Sequence, residues 1–470
     1  MTLCTLGLDL GLSGARAAVV DEGGSLLGRG RVSGRLRPRD GNRAEYDPLE
    51  WYAEVLAAGR QALADAGHPA IAAIGIGALG PCPVLLDEKL RPLAQAPLFS
   101  LDRRAEPYRR RLLESCGLSD TELGPDHALA KLLWWQAEEP ALFRRAASVV
   151  DVTGFLVAQL TGCAVIDPIT AGDHLLAGYA PPLSLPKVQR ADAIAGGLLP
   201  EAARRLGLPL GVPVTVGSYD SFVDIAGTGV READEACVIL GSTLILGCVI
   251  AEARQIDGLR CSAHLGPGWF LGGWTSAAGS LLDWGKAIFG GAGEDLGDLA
   301  AALLPGAGGL LLLPYFAGER APIWDPAARG LLIGATLDTT RPEIYRAMVD
   351  GIALSSLAIA SRLDQVEPPP SRWRIGGGGV RNAIWAQAIC DALGRPFEVV
   401  AHAGEAVPPA LLALRAIGKP AEPQIAALLK PDGQRQGRYQ ELYQIYRGLY
   451  PVLADTMHEL GRLAAQKEKL

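Results

Sequence analysis

Apolar runs open the chain: Leu6 to Leu10 and Ala15 to Val20 flank a polar, glycine-rich bend, Gly11-Leu12-Ser13-Gly14. This pattern predicts a tight β-hairpin at the amino terminus. Asp21-Glu22-Gly23-Gly24-Ser25 is a second turn, and Leu26 to Val32 returns as a third strand of a meander. Asp47-Pro48 introduces a helix through Ala66, with proline suited to the first turn. Ile71–Ile76 and Val84–Asp87 read as strands, the second closing a hairpin at Glu88-Lys89. Helical spacing covers Arg109–Leu113, Ala128–Glu138, Ala141–Ala147 and Asp151–Thr161, and looser Pro- and Gly-rich loops follow to about 210. Val212 to Gly217 restores a strand, and a helix runs from Phe222 towards Ala226.

Cys237 to Gly247 is again strand, glycine-hydroxyl turn (Gly241-Ser242-Thr243), strand. It repeats the opening architecture without its sequence, which predicts an internal structural duplication. The second half continues with strands Trp269–Trp274 and Leu310–Leu313, a helix from Ser280, a loop Tyr315–Gly330 and a long helix Pro342–Ala360. Strand Trp373–Ile375 meets Gly376-Gly377-Gly378-Gly379 before a helix near Asn382, a run that lets a flat ring or a phosphate approach backbone. Tyr439, Tyr443, Tyr446 and Tyr450 recur at helix spacing near the end, which suits packing better than chemistry.

Gly75-Ile76-Gly77-Ala78-Leu79-Gly80 matches the dinucleotide fingerprint by letter. That fingerprint must open a helix, and here Pro81-Cys82-Pro83 and an extended run follow. A strand-to-strand turn lining a cleft is the better reading.

At 470 residues, two or three domains are expected. With 49% hydrophobic and 20% charged residues the composition is that of a compact enzyme. A net charge of −7 argues against a nucleic-acid partner. The eight cysteines are scattered without a C-x-x-C pair, as expected in a reducing compartment, and no histidine spacing suggests zinc. The amino terminus has no signal-peptide pattern and no apolar stretch reads as a membrane span, so the expectation is a cytoplasmic protein without a membrane partner.

Asp9 stands inside the first strand, where a charge needs a partner. Beside a turn whose Gly11, Ser13 and Gly14 leave N–H groups bare, it points to a magnesium-bound phosphate. The order G-L-D-L-G-L-S-G at 7–14, G-S-Y-D-S at 217–221, G-S-T at 241–243, G-E-R-A-P-I-W-D at 318–325 and G-G-G-G at 376–379 resembles the FGGY carbohydrate kinases. Ala130-Lys131-Leu132-Leu133-Trp134 resembles the family's amino-terminal signature, and Gly330-Leu331-Leu332-Ile333-Gly334 with Glu343 to Asp350 after it resembles the second. The nearest branch is similar to the xylulokinases, including the tyrosine-rich tail.

The resemblance implies an α/β fold of two ribonuclease-H-like domains of the actin and sugar-kinase superfamily around a central cleft. It divides the chain into 1–247 (sugar and phosphate), 248–425 (adenosine) and a helical tail 426–470. It implies ATP and magnesium as cofactors and a small sugar or polyol as substrate, most naturally a pentulose, with a homodimer allowed. Asp220 falls on the catalytic base and also near the metal; Asp9 holds magnesium through water. Gly11, Ser13, Gly14, Arg16, Gly241, Ser242 and Thr243 cradle phosphates, and Gly376, Gly377, Gly378, Gly379 and Asn382 meet the adenosine. Asp102, with Arg104 orienting it, and Leu79 and Gly80 fall on the sugar side.

Four departures stand out. Leu12 replaces a threonine, Ser100 replaces a tryptophan, Ala78-Leu79-Gly80 replaces Met-His-Gly, and Pro408-Pro409 replaces a glycine-containing helix start. An actin- or chaperone-like ATPase would share the phosphate turns without needing a polyol site. A catalytically weakened relative would fit the departures.

Overall fold

In a computed structural model the described residues are 3–34, 41–118, 123–124, 126–175, 183, 185–290, 295–402 and 404–467. Part of the loops expected before residue 210 lies outside them. Two compact units emerge, the first Met1–Gly229 with Ala263–Gly266 and Glu405–Gln424, the second Val230–Ser262, Pro267–Gly404 and Ile425–Leu470. Compactness thus divides the chain at Gly229 rather than after Gly247, and it assigns Glu405–Gln424 to the first unit.

The opening meander is present as β1 (Cys4–Gly11), β2 (Gly14–Asp21) and β3 (Leu26–Ser33), antiparallel in sequence order. Ile71–Ala78 lies parallel to β1 on its other side, and Pro213–Thr215 is parallel to Ile71–Ala78 beyond it. β1 is buried along nearly its whole length, which explains why it reads as a continuous apolar run rather than an alternating one. Helix Pro48–Asp65 starts where expected, with the Asp47 carboxylate accepting from Leu49 N at 2.9 Å.

The second sheet repeats this order. Glu235–Leu240, Leu244–Ile250 and Trp269–Trp274 form an antiparallel meander. Arg372–Gly376 lies parallel to the first of them, and Phe397–Val400 is parallel to it in turn. The duplication extends to register: Asp9 pairs with Gly77 on its parallel neighbour, and Ile239, likewise two residues before the turn glycine, pairs with Gly376.

Helix Val407–Ala416 explains the first glycine of the fingerprint-like run, Gly75, and Gly7 beside it. Gly7 and Gly75 are register partners on adjacent strands. A Cβ on Gly7 would lie 2.2 Å from Ala406 O, and one on Gly75 would lie 1.7 Å from Pro409 O. The helix therefore rests directly on bare backbone, and Pro408 and Pro409 serve this packing, Pro408 against Gly227.

Three local expectations change. Only Pro140–Phe143 is helical where a helix over 141–147 was expected, and Ser148–Asp151 is a strand paired with Pro83–Leu86. The β-branched pair Val149-Val150 favours that strand. The turn at Asp87–Leu90 exists, but 83–86 finds its main partner in 148–151 rather than in a hairpin of its own. Among the described residues one helix, Arg341–Leu363, is long and apolar enough to cross a membrane, and it is mostly buried in the second core.

Candidate active site

Asp9, Gly77 and Ser218 occupy neighbouring register positions at the carboxyl ends of three strands of the first sheet, where α/β sheets bind ligands. The helix after Ser218-Tyr219 spans Asp220–Gly227, so Asp220 is its first residue rather than its N-cap. Asp9 is buried and ion-paired to its cross-strand partner Arg16 at 2.5 Å. Asp9 is the main reason the Arg16 guanidinium is held more firmly charged than usual, and Asp220 and Asp224 add to it.

Asp220 is half-buried and accepts from Ser221 N at 2.7 Å. Burial, then the charge of Asp9, raises its carboxyl to about 7, while Ser221 N and Arg16 pull the other way. Asp224 is the residue that sequence reasoning missed. It sits one helical turn after Asp220, on the same face. Burial and Asp9 raise it to about 8. The signal available was the i, i+4 spacing of two acids in a helix otherwise lined with apolar residues.

The sugar-side candidates are tightly engaged. Asp102 is buried and accepts from Ala44 N (2.8 Å), Arg104 N (3.2 Å), Arg104 Nε (2.9 Å) and Arg104 Nη2 (2.6 Å). Those four bonds occupy the in-plane acceptor positions of a carboxylate. Arg104 also pairs with Glu45 at 2.7 Å and lies 4.8 Å from the Trp134 ring centroid. Leu79 is buried in the first core, its N–H donating to Leu10 O at 2.7 Å. A Cβ on Gly80 would lie 2.1 Å from the Tyr219 ring, so nothing larger fits there. Beneath this turn, buried Asp151 accepts from Cys82 N, Val152 N and the Tyr219 hydroxyl, and burial raises it to about 7.

Among the turn residues of the first hairpin, Gly14 is demanded by the fold. Its φ is +123°, and a Cβ would lie 2.1 Å from Val32 O. Ser13 O accepts from Gly34 N at 2.9 Å, which ties the turn to the end of β3. Among the described residues, a Cβ on Gly11 would meet nothing closer than the Arg16 guanidinium, at 3.7 Å.

In the second unit Gly241-Ser242-Thr243 forms the turn of its hairpin, closed by Gly241 N donating to Thr243 O at 2.9 Å. Gly376 ends the adjacent parallel strand. Gly377 has φ +85° and would crowd Leu240 O at 2.5 Å, and Gly379 would meet Trp385 at 2.3 Å. Those two glycines are needed by the protein's own packing. Around Gly378 the nearest atom, from Arg381, is 3.3 Å away. Asn382 caps the next helix through Trp385 N at 3.3 Å and donates to the Tyr345 hydroxyl at 3.4 Å.

Among the described residues no three carboxylate, histidine or cysteine groups converge as a metal cage. The acids of the first unit nevertheless suit magnesium, which takes one or two carboxylates and keeps waters and substrate phosphates as its other ligands. Asp9, Asp220 and Asp224 all interact with the Arg16 guanidinium, and burial with the charge of Asp9 keeps protons on the latter two up to about 7 and about 8, protons that a cation would displace.

Two duplicated sheets, each with a strand–turn–strand at the same place, define the actin and sugar-kinase fold class. Residues 4–227 match the N-terminal domain and residues 236–417 the C-terminal domain of the FGGY family of carbohydrate kinases. The xylulose kinase of Escherichia coli (strain K12) is 27% identical, covering 96% of this chain and 99% of that protein. A gluconokinase of Bacillus licheniformis is 23% identical over 98% of this chain and 96% of its own. The crystal structure of xylulose kinase from Rhodospirillum rubrum superposes with a TM-score of 0.82 at 26% identity, covering 97% of this chain and 100% of that one. The chain belongs to the FGGY family of carbohydrate kinases and is a phosphotransferase with an alcohol acceptor.

Proposed function

We propose that this kinase transfers the γ-phosphoryl group of ATP to a hydroxyl of a small sugar or polyol, with a pentulose as the first candidate. The observation that carries the reading is Asp220, a carboxyl raised to about 7 at a strand end beside the Asp9–Arg16 pair. Asp220 accepts the proton of the attacking hydroxyl as the new O–P bond forms and the bond to the leaving ADP oxygen breaks. General-base assistance of this kind contributes typically ~10²–10⁴-fold. Magnesium, held by Asp9 through water and near Asp220, would neutralise phosphate charge. Gly11, Ser13, Gly14 and Arg16 serve phosphate from the first unit, and Gly241, Ser242 and Thr243 from the second. Gly376–Gly379 and Asn382 meet the adenosine, with Gly378 less crowded than Gly377 and Gly379.

The xylulose kinase relatives support a ketose. The gluconokinase relatives favour a second reading, an aldonate, because buried Leu79 offers no hydroxyl partner where a histidine would. For Asp102 the reading is narrower than direct hydroxyl binding: with its acceptor positions filled, it shapes the pocket wall through Arg104.

A coupled ADP-release screen over pentuloses, hexuloses, polyols and aldonates tests the proposal. One class should stimulate ADP release, and Asp220→Asn should abolish that stimulation while retaining ATP binding. ATP hydrolysis indifferent to every sugar would favour the ATPase reading. Wild-type turnover by Asp220→Asn would refute the base.

A further inference from the structure

Glu319 lies in the loop after Tyr315, within the second unit, and is only 2% exposed. A charged residue is almost never buried so far without a task for its oxygens. One oxygen, Oε1, accepts from Ser276 N at 2.7 Å and from Arg320 N at 2.8 Å. The other, Oε2, is buried and has no hydrogen-bond partner among the described residues. Burial raises the carboxyl to about 8 in spite of those two amides. A side chain kept under these conditions costs stability unless position matters.

The segment it holds leads to the glycine-hydroxyl turn. Arg320 Nη2 donates to Thr275 O at 2.6 Å and Ala321 N to Trp274 O at 3.1 Å, so the loop grips this segment at three successive residues. Thr275 in turn fixes the strand after the turn, with Leu244 N donating to its Oγ1 and its own N donating to Leu244 O, both at 2.9 Å. Ser242 O accepts from Ala278 N (3.0 Å), Ser280 N (3.1 Å) and Ser280 Oγ (3.0 Å), and Gly241 O accepts from Gly279 N (3.1 Å). The carbonyls of Gly241 and Ser242 are thereby committed to the 278–280 backbone, which orients the peptide planes of the turn.

We infer that Glu319 is a positioning residue for phosphate transfer: by fixing Ser276 and Arg320 it holds segment 274–280, and through that segment the peptide orientation of Gly241-Ser242-Thr243. The loop is anchored from behind as well. Asp325 accepts from the Tyr450 hydroxyl and lies within hydrogen-bond distance of His458 Nε2, each at 2.7 Å, and the Tyr315 and Tyr446 hydroxyls are 3.1 Å apart. The C-terminal helix, Gly433–Lys467, is thus the outer brace of the same assembly.

The inference rests on the proposal that 241–243 receives phosphate, and amide hydrogen exchange separates the two. In the free full-length protein, Glu319→Ala should accelerate exchange at 241–244 and 275–280 by about tenfold or more, leaving the first unit unchanged. In steady state the KM for ATP should rise about tenfold with the KM for sugar unmoved, the scale of one lost hydrogen bond. Glu319→Gln keeps an oxygen at Oε1 and should restore both. Glu319→Asp, one methylene short, covers the case in which the alanine variant does not fold, and should reproduce the faster exchange in part. Unchanged exchange at 241–244 in a folded Ala or Asp variant overturns the inference. Failure of ATP with magnesium to slow exchange there in the wild type overturns instead the phosphate role of the turn, whatever Glu319 does to the free protein.

Discussion

The two sheets share an order and a register but differ in what they carry at the decisive position. Two residues before its turn the first sheet has Asp9, opposite Arg16; the second has Ile239, opposite Ile245. The parallel neighbour offers a glycine to each, Gly77 and Gly376. One scaffold therefore presents a charged strand end with two further acids, Asp220 and Asp224, and the other presents an uncharged turn of backbone and hydroxyl groups. The difference teaches that the fold supplies the place while side chains choose the chemistry: under the proposed function, proton and metal handling fall to one unit and neutral anion contact to the other.

The comparison can be broken most severely by moving the charge. Ile239→Asp buries a carboxylate opposite the uncharged Ile245, where Asp9 has Arg16, and should cost about 3–5 kcal/mol of stability. Denaturant unfolding reads this, and a loss under 1 kcal/mol would show that the second hairpin tolerates charge after all. Gly75→Ala tests the close seating of helix Val407–Ala416 on the first sheet. With backbone rather than a mobile side chain at 1.7 Å, it should destabilise by about 1–3 kcal/mol or more. A variant as stable as wild type by thermal melting would contradict the packing described.

Smaller effects sharpen the electrostatics. Asp220 and Asp224 have carboxyls raised to about 7 and about 8. The folded protein therefore retains their protons where the unfolded chain, near 3.9, has lost them. The sign follows: their contribution to stability falls as pH rises from about 4 to about 8. Asp224→Asn should stabilise the protein at pH 8 but not at pH 4, measured by urea unfolding at both. As a base, Asp220 must be ionised, so kcat/KM should rise with pH through about 7. Asp224 keeps its proton to about 8 and is uncharged while Asp220 ionises, so Asp224→Asn should leave that inflection in place; a downward move would mean that an Asp224 carboxylate repels Asp220.

Much of this was legible in residue order. The opening meander, the glycine-hydroxyl hairpin, helix Pro48–Asp65 and strand Trp269–Trp274 all follow from apolar runs punctuated by turn residues, because those signals act within a few positions. Strand 148–151 was not legible, since its partner lies more than sixty residues earlier and four residues carry little periodicity of their own. The tyrosines of the last helix were expected to pack. They do, but their hydroxyls also reach Asp350, Ser361, Tyr315 and Asp325, which spacing could not reveal.

The opening hairpin marks the division. Its sequence alone determined the turn, the unusual acid at Asp9 and the glycine at 14, because local backbone geometry and the cost of an unpaired charge are properties of short segments. That Arg16 answers Asp9, that Asp224 joins Asp220, that Asp102 is already filled by Arg104, and that Glu319 stands behind Gly241-Ser242-Thr243 were decided by tertiary structure. Pairing, burial and like-charge repulsion depend on distances that only the folded chain sets.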